Sequence, residues 1–139
     1  MKRSAPIRNP DLSSKEWQHF FAKLNNADGL FVPAWVGLTL GGGGAVAHTG
    51  RYFKIGPICW FQVLIEVSGG KSTTSSAGTT YFSAPLHVAY DNVCNAVCTA
   101  NGTDFGQGSV RKATNRIYPP SWSGFLSSIV ISGWYETTD

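Results

Sequence analysis

The stretch that decides the fold is residues 57–68, PICWFQVLIEVS. A period of two is that of a β-strand, because successive side chains point to opposite faces of a sheet. One face of this segment, formed by every second residue from Ile58 to Glu66, is half apolar, which predicts partial cover by a helix or a neighbouring subunit. The face that we expect in the core carries apolar residues at every second position: Cys59, Phe61, Val63, Ile65 and Val67.

The composition of the whole chain agrees with that strand. Of 139 residues, 42% are hydrophobic and 13% aromatic, which is enough to fill one core. Only 14% are charged, against about 25% in an average domain. Ser, Thr, Asn and Gly take the place of the missing charge, as in strands joined by polar turns. A helical bundle would need Glu and Lys on its exposed faces, so the composition argues against one.

The rest of the chain after residue 30 also alternates in short segments. The glycines at 41–44 predict a turn, Asn101-Gly102 predicts another, and the polar stretch 68–79 predicts an exposed, mobile loop. About eight strands at this spacing predict an all-β fold, a single antiparallel β-sandwich or jelly-roll-like domain over 31–139. The further strands are expected at 35–40, 45–54, 80–83, 86–90, 93–100, twice within 105–119 around a turn near 112–115, and at 125–136.

The first 30 residues have a different pattern. Residues 1–10 predict an extended arm, and Ser13 with Glu16 forms a capping box that starts a helix over 13–25. We expect this helix to be an assembly anchor, packed either on its own β domain or in an apolar groove of another protein. The anchor residues are Leu12, Trp17, Phe20, Phe21 and Leu24.

Membrane and nucleic-acid partners are not expected. The chain has no apolar run near the ~20 residues that span a bilayer, and residues 1–10 are basic and polar, unlike a secretory leader. The net charge of +3 is spread over three places in the sequence. A nucleic-acid binder usually concentrates its positive charge further.

No motif indicates a catalytic, cofactor or metal site. Three cysteines are a poor disulfide framework, so we expect reduced, buried thiols. Cys94 and Cys98 with His87 lack the second ligand pair of a zinc site. Glu66 and Asp104 are the acid pair that a hydrolase of surface polysaccharide would require, but no spacing supports them. We therefore expect a protein that is not an enzyme.

One pair of aromatic residues suggests a binding role. Tyr118 and Trp122 flank Pro119-Pro120 on an expected loop. Exposed aromatic rings on loops are a means of holding the faces of sugars. These two residues are the candidate contacts for a host surface glycan.

Four segments together resemble a β-sandwich module of tailed-phage virion structural proteins. That module has a Trp-containing strand that ends in Leu-Thr, a Gly-Arg-Tyr turn, an apolar strand, and a strand that often reads Phe-Ser-Leu-Pro. The matching segments are 32–39 VPAWVGLT, 50–56 GRYFKIG with the strand 57–67, 79–86 TTYFSAPL, and 131–136 ISGWYE. The cysteine pair departs from the module, and no role is carried over for it.

The resemblance implies a virion component, assembled in the bacterial cytoplasm and associated with the tail or baseplate. It implies a homo-oligomer, since trimers are common among such modules, together with contacts to other phage virion proteins. Two alternatives stay open within the resemblance. The first alternative is a receptor- or glycan-binding domain at a tail-fibre tip. The second is a decoration protein of the capsid surface.

Overall fold

The structure is a computed structural model that describes residues 29–139. The expected arm and helix, with the anchor residues 12–24, lie outside the described residues. From Gly29 onward the described chain forms eleven β-strands. In chain order they are β1 Gly29–Phe31, β2 Thr39–Gly41, β3 Ala45–Ile55, β4 Ile58–Ser68, β5 Ser72–Ser75, β6 Phe82–Ser83, β7 Asn92–Cys98, β8 Asp104–Arg111, β9 Arg116–Tyr118, β10 Trp122–Phe125 and β11 Ile129–Glu136.

Eight of the strands form one curled antiparallel sheet, in the order β1-β3-β4-β11-β7-β8-β9-β6. The other three form a small antiparallel sheet, in the order β10-β5-β2. Both sheets contribute side chains to the same core cluster. The predicted all-β, antiparallel class is confirmed for the described residues.

The strand predicted from 57–68 is β4, and it is the centre of the large sheet. It pairs along its length with β3 on one side, and from Ile58 to Ile65 with β11 on the other. The hairpin to β3 turns at Gly56-Pro57, where Gly56 has a φ of 58°, as the first central position of a type II′ turn requires. Its predicted inward face is confirmed: Cys59, Phe61, Val63 and Ile65 are at most 4% exposed.

The prediction of an exposed, mobile loop at 68–79 is wrong for the middle of that segment, while residues 69–70 and 76–79 are exposed and outside the strands. Residues Ser72–Ser75 form β5, the middle strand of the small sheet, and Thr73 and Ser75 are buried. Their hydroxyls are paired inside the protein: the Trp122 indole N–H donates to Thr73 Oγ1 at 2.9 Å, and Ser75 Oγ donates to the Pro120 carbonyl at 2.8 Å. Burial of a hydroxyl that has a hydrogen-bond partner costs little free energy. A buried strand can therefore be made of Ser and Thr, and its sequence then shows no apolar alternation.

Several expected boundaries also move. The strand expected at 86–90 is reduced to a single bridge between Val88 and Thr137, and the one at 125–136 is divided into β10 and β11. In the segment 35–40 only its end joins a strand, β2. The strands expected at 45–54 and 93–100, and the two within 105–119, are confirmed as β3, β7, β8 and β9.

Candidate functional site

The outer face of the central strands carries a row of exposed aromatic rings. The register places Phe53 of β3 opposite Trp60 of β4, and Trp60 opposite Trp134 of β11. Their ring centroids are 6.3 and 6.2 Å apart, and the three residues are 40%, 43% and 43% exposed. We call Phe53, Trp60 and Trp134 the aromatic row.

Further apolar residues extend this surface on the same face. Ile55 of β3 lies two residues beyond Phe53, and Val93 of β7 lies two residues from Asn95, whose partner is Ser132 on β11. Both are about half exposed. A contiguous exposed apolar patch is where an interaction site is sought on a protein, and these residues are the candidate. The half-apolar outer face predicted for β4 is therefore present, and among the described residues Trp60 is left uncovered.

A polar row runs beside the aromatic row on the same face, two residues away along each strand. Arg51 pairs with Gln62, Gln62 with Ser132, and Ser132 with Asn95. Arg51 Nε donates a hydrogen bond to Gln62 Oε1 at 2.9 Å. A depression of about 820 Å³ lies at this row, and the small residues Ser132 and Gly133 of β11 are part of its lining.

The combination of the two rows suits binding to another surface. Aromatic residues and arginine are enriched at protein interfaces, where the rings supply contact area and the polar groups fix orientation. One signal in the sequence could have shown the Phe53–Trp60 part of the row, the two-residue turn at Gly56-Pro57. With that turn, Phe53 must stand opposite Trp60.

The acid pair considered for hydrolysis is not brought together. Glu66 is on β4 and Asp104 on β8, with β11 and β7 between them. Three strand spacings separate the backbones by roughly 14 Å, more than the ~5–10 Å of a glycosidase pair. Asp104 also accepts the backbone N–H of Gly106 at 2.8 Å.

The cysteines are buried and free, as expected. Burial raises the pKa of the Cys94 thiol to about 12, so it stays protonated at neutral pH. A protonated thiol is a weak nucleophile and metal ligand. His87 is engaged elsewhere: its Nδ1 lies 2.8 Å from Asp139 Oδ1, and its backbone N–H lowers the pKa of the Asp139 carboxyl.

Residues 29–139 show no place where three His, Cys, Asp or Glu side chains gather as metal ligands would. The same span has no helix with the length and apolarity of a membrane crossing.

The two residues expected to contact a glycan lie in different environments. Tyr118 ends β9 at the surface, half-buried, and its hydroxyl lies 3.2 Å from Thr114 Oγ1. Trp122 begins β10 and is 5% exposed, with its ring 5.6 Å from Phe105. The structure therefore places Trp122 in the core, because its indole N–H has a buried partner, and leaves Tyr118 accessible.

Comparison with known proteins gives no relative. No protein-family model matches the chain, and neither a curated protein nor a solved structure is detectably similar to it. The resemblance of residues 32–136 to tailed-phage modules therefore stays a prediction from the sequence.

Proposed function

We propose that the chain is a non-enzymatic structural protein of a tailed-phage virion, associated with the tail or baseplate and assembled as a homo-oligomer. In this proposal the β domain is a sandwich-like assembly module, and the outer face that carries the aromatic row is its interface. The single observation that carries the assembly role is the aromatic row itself. The phage context rests on the sequence resemblance.

The size of the aromatic row limits what it can do alone. Three rings about 40% exposed leave roughly 250 Å² of apolar surface. Burying that area contributes about 6 kcal/mol before the costs of association are subtracted. A stable interface buries about 800 Å² on each partner. The interface must therefore extend beyond the row, over Ile55, Val93 and the neighbouring depression.

The segment 1–30 supplies the second part of the proposal. The sequence predicts an apolar stripe from Leu12 to Leu24 that would need a surface to cover it, and the described chain begins at Gly29, which lines the depression. We propose that this segment takes part in assembly, either against the domain's own outer face or against a neighbouring virion protein.

The test of assembly is the mass of the full chain in solution. We expect sedimentation to show a homo-oligomer that dissociates when Trp60→Ser and Trp134→Ser are combined. The control is Tyr90→Ser, which removes an aromatic residue that is 64% exposed but lies outside the row. If the oligomer persists in the double variant, or if the wild-type protein is a monomer, the aromatic row is not an interface between subunits.

The test of the virion role is incorporation into particles. We expect mass spectrometry to find the protein in purified virions of a phage that carries its gene. Deletion of residues 1–29 is expected to reduce its copy number. If the truncated protein joins particles at the normal level, the segment 1–30 is not an anchor.

A further inference from the structure

The hairpin of β8 and β9 places two arginines directly opposite each other. Arg111 is the register partner of Arg116, and partners across antiparallel strands lie on the same face of the sheet. Like charges at directly opposed positions destabilise a strand pair. The arrangement therefore favours a negatively charged group between or above the two guanidinium groups.

The protein compensates these charges only in part. Arg116 stacks over the ring of Tyr81, with 4.0 Å from the guanidinium carbon to the ring centroid. Asp91 Oδ2 lies 4.0 Å from Arg111 Nε, beyond hydrogen-bond distance, while its other oxygen accepts the backbone N–H of Lys112 at 2.7 Å. The carboxylate near Arg111 is thus already engaged with the turn.

Hydroxyl groups surround the two arginines. Ser109 is the register partner of Tyr118, so it lies on the same face, and the Tyr118 ring is 5.4 Å from that of Tyr81. The hydrogen bond with Thr114 lowers the pKa of the Tyr118 hydroxyl, and the positive charges of Arg116 and Arg111 add to this effect. We call Ser109, Arg111, Thr114, Arg116 and Tyr118 the hairpin cluster.

A concavity of about 310 Å³ lies at the hairpin cluster. Arg111 reaches it with hydroxyl-bearing side chains around it, and Gly78 closes one side. This volume is at the lower end of ligand sites, near 300 Å³, and suits one sugar ring. The hairpin cluster contains none of the residues of the aromatic row but adjoins the apolar surface beside it: β11, which carries Trp134, is two strand spacings from β8, roughly 10 Å, and Val93 is the register partner of Ser109.

We propose that the hairpin cluster binds an anionic saccharide, a sugar that carries a carboxylate or phosphate. The planar guanidinium of Arg111, which lines the concavity, pairs with the anionic group, as arginine does with carboxylate and phosphate. Arg116 lies opposite Arg111 on the same face and adds its positive charge. The hydroxyls of Ser109, Thr114 and Tyr118 exchange hydrogen bonds with the hydroxyls of the sugar. The compact cluster fits one anionic group better than the extended phosphate track of a nucleic acid. This site goes beyond the assembly role proposed above.

The experiment is calorimetric titration of the full chain with trigalacturonate and with glucose 6-phosphate. Maltotriose, inorganic phosphate and a short single-stranded DNA are the comparison ligands. We expect at least one acidic sugar to bind at millimolar concentration or below, and maltotriose to bind at least about tenfold more weakly, because a lost charge-assisted hydrogen bond costs about that factor. The two acidic sugars distinguish a carboxylate from a phosphate as the anionic group.

Variants locate the site. Arg111→Gln and Arg116→Gln are each expected to weaken binding about tenfold or more, and Tyr118→Phe severalfold through the loss of one hydroxyl. Lys71→Gln is the control, since it removes one positive charge far from the hairpin, beside Gly42. Circular dichroism shows whether each variant is folded, and Tyr118→Phe, which keeps the ring, tests the site if an arginine variant is not.

Specific outcomes would overturn the proposal. They are no binding of either acidic sugar at millimolar concentration, equal binding of maltotriose, equal binding of inorganic phosphate alone, tighter binding of DNA, or an equal loss in Lys71→Gln. The combined Trp60→Ser and Trp134→Ser variant is expected to keep saccharide binding. Loss of assembly with saccharide binding retained therefore distinguishes this site from the aromatic row.

Discussion

The large sheet and the small sheet bury their middle strands by different chemistry. In the large sheet, β4 buries aliphatic and aromatic side chains that need no hydrogen-bond partner. In the small sheet, β5 buries Thr73 and Ser75, which need one partner each and have it in Trp122 and Pro120. Burial is therefore stabilised by apolar area in the large sheet and by paired hydroxyls in the small sheet.

The largest effect is expected in the large sheet. Ile65→Ala removes a fully buried side chain from the middle of β4 and is expected to lower the free energy of unfolding by about 2–5 kcal/mol, through lost burial and the cavity left behind. Urea unfolding measures this. The control is Glu66→Ala on the opposite, exposed face, with a change within about 0.5 kcal/mol. A cost below about 1 kcal/mol for Ile65→Ala would show that β4 is not the centre of the core.

A smaller loss is expected in the small sheet. Thr73→Val keeps the shape of the side chain but removes the acceptor of the buried Trp122 N–H. An unpaired buried donor costs about 1–3 kcal/mol, measured by urea unfolding with tryptophan fluorescence. Thr73→Ser keeps the hydroxyl and is the matched comparison. If Thr73→Val is as stable as the wild type, the hydrogen bond does not hold the small sheet.

The exclusion of water from Cys94 in the large sheet can be tested through the dependence of stability on pH. Burial raises the pKa of Cys94 from its ordinary value near 9 to about 12. Above about pH 9 the unfolded thiol loses its proton while the folded one keeps it, so this contribution to stability is full below pH 9. It is lost as the pH rises toward 12, by about 1.4 kcal/mol per pH unit. Urea unfolding under reducing conditions at rising pH measures the slope.

The control for that slope is Cys94→Ala, which removes the thiol. We expect stability of this variant to fall less steeply in the alkaline range. A residual slope is expected even then, because burial also raises the pKa of Tyr135 and Cys59. Equal slopes in the two proteins would mean that Cys94 is in contact with water.

The smallest effect is expected on the outer face. Arg51→Ala removes an exposed hydrogen bond to Gln62, and exposed polar contacts of this kind contribute about 0.5 kcal/mol or less. Thermal unfolding of the protein, compared with Gln62→Ala, checks this. A loss above about 1.5 kcal/mol would show that the polar row supports the sheet itself.

Prediction from the sequence succeeded where the fold depends on apolar alternation. The strands around 57–68 and 93–100 were identified, because each places small or apolar residues at every second position. It failed for 68–79, where Ser and Thr carry no apolar signal and only the partner strands reveal their burial. The same reason explains Trp122, whose environment depends on Thr73, 49 residues away.

The candidate sites were less predictable than the strands. Tyr118 was selected from its neighbouring prolines, and the structure adds Arg111, Arg116 and Thr114 around it. The aromatic row requires the pairing of three strands, of which only the β3–β4 hairpin is local in sequence. Contacts between distant strands follow from the packing of the whole core, which a local pattern does not contain.

The sequence by itself determined the β class, the strand over 57–68 and the inward face of β4, since these follow from a period of two. Only the tertiary structure decided that a polar segment becomes a buried strand, that Trp122 enters the core, and that Phe53, Trp60 and Trp134 stand together at the surface. The physical reason is that burial of a hydroxyl or exposure of a ring depends on which distant strand lies beside it.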